Sequence, residues 1–354
     1  VNVRHQVPLA PLTTLGIGGS AETLVEYRDP GSFFDVVQLV HEHGGQPVAL
    51  GGGSNVLASD AGCRGPVIHM TTCGITLREA PDGDGVLVTA EAGHPLQDLV
   101  ETTVAECLTG IETLVGIPGT VGATPVQNVG AYGQEVGDTL VEVDAWDWQQ
   151  NRAVTLDAAA CRLGHRTSVF KHTARWTLLR VTLRLTRSKL SRPIDYRAVA
   201  DHLGVAPGTR VLLDDAARAV LAVRRSKGMV LDPTDPDNRS AGSVFLSPQL
   251  DPPQAAALRA RGIPLHDFSD GTTRVSSSWL IKDAGFTLGQ QLAPGIRISS
   301  KQYTLIAEGP ATSAAFAQAT EVIATQVHRE TGVLLRPELD LLGSESTYER
   351  LQIQ

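Results

Sequence analysis

Three glycine-rich stretches and one loop hydroxyl are the places where residue type and spacing could do chemistry. GGGSNVL at 51–57 follows the strand-like PVAL and presents consecutive backbone amides on residues that tolerate unusual dihedrals. Such a nest suits a pyrophosphate, although glycine-rich loops also occur purely as turns. The stretch IPGTVGATPVQNVGAYGQEVGD at 117–138 has five glycines and few charges. It offers a second flexible wall, with Gln127, Asn128 and Tyr132 as donors to a polar ring. Two such loops suggest one large, flat ligand. GIGGSA at 16–21 fits the dinucleotide fingerprint G-x-G-x-x-G/A in its letters. That fingerprint needs a buried strand before it and a helix starting on it, whereas PLAPLTTL precedes and strand-like ETLVEY follows, so a structural turn is expected. Ser243, in RSAGSVFLSP, reads locally as part of a turn ahead of a strand. The histidines of HEH at 41–43 point to different faces of a predicted helix, and no metal is assigned.

The elements that must position these residues alternate between helix and strand. ETLVEY has strand character; SFFDVVQLVHEHGG reads as a helix capped by Ser32 and stopped by Gly44 and Gly45. Short β-branched segments run from Val67 to Glu91, and Pro95 starts a helix, PLQDLVETTVAECL. Strands resume at LVEVDAWDW and WTLLRVTLRLT. The second half opens with the helix RVLLDDAARAVLAVRRSKG, and Pro233 and Pro236 bar helix from the loop that follows. Further helices are expected in PPQAAALRARG, SSSWLIKDAG and TSAAFAQATEVIATQVHRETG, with a last strand, VLLRPELDLLG, that returns to the first domain.

Composition limits the function classes. A chain of 354 residues with 42% hydrophobic and 19% charged residues is globular and long enough for two or three domains. A net charge of −8 without a Lys/Arg cluster argues against nucleic acid as a partner, since phosphate contacts need a concentrated basic surface. The four cysteines are widely scattered, which indicates neither zinc nor a disulfide framework. VNVRHQVPLAPLTT lacks a signal-type apolar core and no run is long enough to cross a bilayer, so a cytoplasmic location is the expectation.

Five motifs in order carry a more specific reading: GGGSNVL, GIPGTVGATPVQNVGAYG, CRLGHRTSVFK, SKGMVLDPTDPDNRSAGSVFLSP and LLRPELDLLG. Together, from about Leu12 to Gly343, they resemble the UDP-N-acetylenolpyruvoylglucosamine reductase (MurB) family of bacterial cell-wall synthesis. The resemblance implies an α+β fold. Two FAD-binding subdomains of the vanillyl-alcohol-oxidase (PCMH-type) fold would span 1–66 (joined by 336–354) and 67–205, and an α+β substrate domain 206–335. It implies FAD, bound without a covalent link, NADPH as co-substrate, and conversion of UDP-N-acetylenolpyruvoylglucosamine to UDP-N-acetylmuramate. NADPH and the UDP-sugar would use one site in turn, which leaves GIGGSA no nicotinamide to bind. A monomer is expected. An oxidase of the same superfamily and a non-catalytic flavin- or nucleotide-sugar-binding paralogue are the alternatives.

By the same resemblance, Arg166 faces the carboxylate that becomes an enolate, Ser243 donates the proton to the carbon beside it, and Glu338 hydrogen-bonds the intermediate. The cofactor residues would be Gly51, Gly52, Gly53, Ser54, Asn55, Val56 and Leu57 in the first loop. In the second they would be Ile117, Pro118, Gly119, Gly122, Ala123, Thr124, Gln127, Asn128, Gly130, Ala131 and Tyr132, with Arg224 near the flavin. Tyr196 and Lys227 would hold phosphates, and Ser247, His266 and Gln302 complete the substrate set. Three residues depart from the family pattern: His165 and His266 stand at or near tyrosine positions, and Ser247 stands where an asparagine is usual.

Overall fold

The computed structural model describes residues 1–268 and 271–353. By contacts the chain divides into two compact units, the first Val1–Val7, Ala21–Gly53 and Gly65–Asp232, the second Pro8–Ser20, Ser54–Arg64 and Pro233–Gln354. The first unit therefore continues past 205, where a boundary was expected, and takes in the helix Leu213–Ser226.

The first unit contains a smaller sheet, a larger antiparallel sheet and the short antiparallel pair Gly130–Ala131 with Gln134–Glu135. In the smaller, Val48–Leu50 pairs in parallel with the segment around Ile68, and the helix Phe33–His43 leads from the strand Ser20–Tyr27 into Val48–Leu50. That helix buries Phe33, Val36, Val37 and Val40, an i, i+3, i+4, i+7 stripe, among Val25, Tyr27, Ile68 and Met70. Each such side chain contributes about 1.5–3 kcal/mol as an upper estimate. Gly44 at φ +68° ends the helix as expected. The start differs: Ser32 makes no cap, because its hydroxyl donates to the carbonyl of Asp29 at 2.7 Å, while Asp29 accepts from the Gly31 N–H.

The larger sheet is antiparallel and built from Ile75–Glu79, Val86–Glu91, Trp176–Arg187, Leu140–Asp147 and Arg152–Asp157. Val86, Val88 and Ala90 turn inward on alternate positions and meet the apolar faces of the helices Leu96–Ala105 and Leu213–Ser226. The first of those helices stops at Ala105, short of the expected Leu108, because Cys107 turns to φ +54° and Leu108 enters a strand.

The second unit packs around the helix Ser313–Thr331, whose Phe316, Ala319, Ile323 and Val327 are buried with Ile296, Ile298, Leu305 and Leu339. The expected last strand is present only at Asp340–Leu342, which runs parallel to Val56–Ala58. Pro337 removes a backbone donor just ahead of it. The GIGGSA glycines belong here and serve close packing. A Cβ on Gly18 would stand 2.5 Å from that of Ala58, one on Gly19 would strike the Asp60 carbonyl, and Gly19 N–H donates to Ser59 at 2.8 Å. Arg239 uses the same turn: its guanidinium donates to the carbonyls of Leu15 at 3.1 Å and Gly16 at 2.8 Å.

Candidate active site

The first unit presses its glycine-rich loops together. A Cβ on Gly52 would stand 2.8 Å from Gly119 Cα, and one on Gly51 would collide with the Thr120 hydroxyl, so only glycine permits this approach. The second loop is splinted by 92–96: Val121 N–H donates to His94 O, Gly122 N–H to Ala92 O, and Leu96 N–H to Gly119 O. These are backbone bonds, which is why motif reading did not single out 92–96. The resulting cradle, walled by glycine backbone and short side chains, fits a flat ligand with a diphosphate, and so fits FAD. Ile117, Pro118, Gly119, Gln127, Gly130 and Ala131 are half-buried, Gly122 and Thr124 buried, and Ala123 exposed.

Asn128, expected among the ligand's donors, makes its contacts inside the protein. Its amide nitrogen donates to Glu135 at 2.7 Å and to the Gly164 carbonyl at 3.2 Å, and its oxygen accepts from Gly137 at 2.8 Å. The second loop in turn holds Arg166, whose guanidinium donates to the carbonyls of Asn128 at 3.2 Å and Gly130 at 2.9 Å. Arg166 lies at φ +54° in a tight turn closed by the Gly164–Thr167 bridge, with His165 exposed beside it. A guanidinium held this way has its plane fixed.

Four residues expected to meet cofactor or phosphate come together in the same unit. The Tyr132 and Tyr196 rings meet edge-on at 4.8 Å, and Lys227 Nζ lies 5.9 Å and 5.5 Å from their centres. Arg224, 8% exposed, donates to Met229 O at 2.9 Å, while its Nε is buried without a partner. Burial pushes the Arg224 pKa down and that of Tyr132 up. Among the described residues no carboxylate pairs with Arg224 or Lys227. Two cations beside two phenols, with no described carboxylate paired to either, are the kind of donor set that suits a phosphate.

In the second unit three stretches of backbone lie side by side. Phe245 bridges Pro337 in antiparallel register, Leu246 N–H donates to Arg336 O at 3.0 Å, and Glu338 N–H to Val244 O at 2.8 Å. On the other edge Asp340 N–H donates to Asn55 O at 2.9 Å, Asn55 Nδ2 reaches Glu338 O at 3.4 Å, and Asp340–Leu342 continues along Val56–Ala58. This ladder sets Ser243, which is exposed, next to the segment carrying Glu338, which is 8% exposed, and sets that segment beside Ser54–Leu57. Residues almost three hundred positions apart thus become neighbours through ordinary strand pairing.

Ser247 and Gln302 are half-buried in this unit, and Gln302 closes a short turn by accepting the Thr304 N–H at 3.0 Å. His266 is exposed on Leu265–Asp267, opposite Arg274. Sequence reasoning missed Asp237 and Arg239, because a loop rich in Pro, Asp and Asn gives no sign of which side chains turn inward. At 41–43, His41 stacks edge-on against Trp148 and His43 bonds the Leu39 carbonyl. Among the described residues no group of three or more His, Cys, Asp or Glu side chains is placed to hold a metal ion.

An FAD binding domain profile matches residues 21–156, and with the cradle it places the chain among flavin-binding proteins of α+β architecture. The profile for the UDP-N-acetylenolpyruvoylglucosamine reductase C-terminal domain matches 232–342. A UDP-N-acetylenolpyruvoylglucosamine reductase of Thermobifida fusca is 41% identical over 349 residues, covering 96% of this chain and 98% of the relative. One from Streptomyces avermitilis is 42% identical over 354 residues, covering 96% and 95%. The crystal structure of UDP-N-acetylenolpyruvylglucosamine reductase (MurB) from Thermus caldophilus shares the fold, with a TM-score of 0.62 at 22% identity, covering 96% of this chain and 98% of that one. This chain belongs to the UDP-N-acetylenolpyruvoylglucosamine reductase family.

Proposed function

We propose that this chain reduces the enolpyruvyl ether of UDP-N-acetylenolpyruvoylglucosamine to the lactyl ether of UDP-N-acetylmuramate with NADPH, as a cytoplasmic monomer serving peptidoglycan synthesis. Among the described residues no helix is long and apolar enough to cross a membrane. The observation that carries the reading is the ladder that sets Ser243, Glu338 and the end of the first glycine-rich loop side by side. FAD, held by 51–57 and 117–132, supplies when bound the hydride that it takes from NADPH.

The residues of the chain manage the charge and the proton. As hydride reaches the terminal carbon of the enolpyruvyl group, the π electrons move toward the carboxylate, and the fixed, permanently charged fork of Arg166 stabilises them there. The Ser243 hydroxyl gives its proton to the carbon beside the carboxylate, completing addition of one hydride and one proton across the double bond. Serine is a very weak acid, but an enolate is a strong enough base to accept its proton when the two are held together. Placement therefore matters more than a tuned pKa. Glu338 hydrogen-bonds the enolate, and Tyr132, Tyr196, Arg224 and Lys227 take the diphosphate of either ligand in turn. Arg166, Glu338 and Ser243 survive together beside His165, Ser247 and His266, so the departures fall on substrate fit and not on the proton path.

The test separates the half-reactions. Purified protein carrying FAD is bleached anaerobically with NADPH, and its colour returns on addition of the enolpyruvyl substrate. Ser243→Ala leaves the bleaching rate intact and slows the colour return by about 10²- to 10⁴-fold. A wild-type rate of colour return in that variant would remove Ser243 as the donor. Reoxidation by oxygen alone, with no response to the enolpyruvyl compound, would identify an oxidase.

A further inference from the structure

The loop carrying Ser243 is fastened to a buried charge that the reaction does not use. Asp237, 1% exposed, accepts on one oxygen from the Ser299 hydroxyl at 2.7 Å, the Ser300 hydroxyl at 2.8 Å and the Ser300 N–H at 2.9 Å. Its other oxygen lies 2.7 Å from Arg297, which also pairs with Glu308 at 2.6 Å. Bonds run from this hub toward the serine. Ser299 N–H donates to Thr304 O at 2.9 Å, Ala307 N–H donates to Arg239 O at 3.0 Å, and Ser240 bridges Ile306. The last link is the Thr304 hydroxyl, which donates to the carbonyl of Gly242.

That carbonyl shares one planar peptide with the N–H of Ser243, so holding it fixes the plane from which the Ser243 side chain departs. Gly242, at φ +73° and with open space around its Cα, imposes little orientation of its own. The orientation must come from outside, and Thr304, 4% exposed, supplies it.

We propose that Thr304 is a positioning residue for proton transfer: its hydroxyl, carried on the Asp237 hub, sets the Gly242–Ser243 peptide so that the Ser243 hydroxyl is presented before ligand arrives. The proposal rests on the reading of Ser243 as the proton donor. A very weak acid transfers its proton only at close, aligned approach, and a misplacement near 1 Å costs about 10²-fold. A hydroxyl that merely satisfied this carbonyl would instead change stability a little and nothing specific to one half-reaction.

Thr304→Val deletes the hydroxyl at nearly constant volume, and Thr304→Ser keeps it. In the FAD-loaded enzyme, Thr304→Val should bleach with NADPH at the wild-type rate but regain colour with the enolpyruvyl substrate about 10- to 100-fold more slowly. Thr304→Ser should restore that rate, and thermal unfolding of the FAD-free proteins should shift by only a few degrees. Ser299→Ala, which loosens the hub one step away, should slow the same half-reaction by a smaller factor and provides the test if the valine variant does not fold. Adding Thr304→Val to Ser243→Ala should cost nothing further, because both act through one hydroxyl. Equal slowing of both half-reactions, loss of rate in Thr304→Ser, or an additive double variant would overturn the proposal. So would a wild-type rate in Thr304→Val where Ser243→Ala is slow. If Ser243→Ala itself is unimpaired, the donor assignment has failed, and that result is distinct from a failure of Thr304 alone.

Discussion

Two charged clusters of similar burial, one in each unit, differ in balance. Around Asp237 every charged group touches an opposite charge: Arg297 is shared by Asp237 and Glu308, and Lys301 pairs with Asp235. Around Tyr132 the cations Arg224 and Lys227 have phenols and a carbonyl for company, and no described carboxylate pairs with either. A desolvated charge is unfavourable unless something neutralises it. On this ground the cluster compensated within the chain is expected to be structural, and the uncompensated one is the proposed place for a ligand to bring the missing charge.

Removing one member of the compensated cluster has the largest effect. Asp237→Asn leaves Arg297 with Glu308 as its one carboxylate partner and weakens the bonds from Ser299 and Ser300, and should lower the unfolding free energy by about 3 kcal/mol in urea titrations. Burial alone would raise the Asp237 pKa, but the hydroxyls of Ser299 and Ser300 and the Arg297 guanidinium outweigh it and hold the carboxyl below the ordinary value near 3.8. A depressed carboxyl stabilises above its unfolded pKa, and that stability is lost as pH falls through the folded value. The gap between wild type and variant should therefore be full at neutral pH and close on acidification below about pH 4. A gap that stays constant down to pH 2 would show that the charge is not what the cluster depends on.

The uncompensated cluster should respond in binding. Lys227→Met should leave folding intact, since among the described residues the ammonium has no carboxylate partner and its only contacts with Tyr132 and Tyr196 are over their rings, which a methionine also packs against. It removes a charge-assisted contact of about 1.5–3 kcal/mol, so KM for both NADPH and the UDP-sugar should rise about 10- to 100-fold. The salt dependence of KM should flatten in step. If KM rose for only one ligand, the two would not share this receptor, and the comparison would need two ligand sites.

How much of this the sequence discloses depends on the range of the interaction. Helices such as Phe33–His43 and Ser313–Thr331 are legible from periodicity, and glycines 51–53 and 119–122 are legible as a cradle because few roles suit such runs. The pairing of Tyr132 with Tyr196 and the ladder between Ser243 and Glu338 join distant segments, which local pattern cannot register. Motif resemblance reached those residues by another route, but it gave no hint of Asp237, Thr304 or the use of GIGGSA as a receptor for Arg239. Asn128 shows what local reading leaves out: an amide in a glycine-rich loop reads as a ligand donor, and its side chain also ties Glu135, Gly137 and Gly164 together.

The smallest stability effect gives the sharpest contrast. Arg224 is as deeply buried as many core residues, so an ordinary reading would rank its loss with that of Asp237. Its desolvated charge works against the ligand-free fold, while its bond to Met229 O works for it, and the two nearly cancel. Arg224→Met should therefore change the unfolding free energy of the ligand-free protein by no more than about 1 kcal/mol. Inorganic pyrophosphate should raise the melting temperature of the wild type, where it neutralises Arg224 and Lys227, and raise that of Arg224→Met much less. A loss as large as that of Asp237→Asn, with the pyrophosphate response retained, would make Arg224 a structural cation and remove the contrast between the clusters. A small loss with the response abolished would mean that this guanidinium is buried for a phosphate.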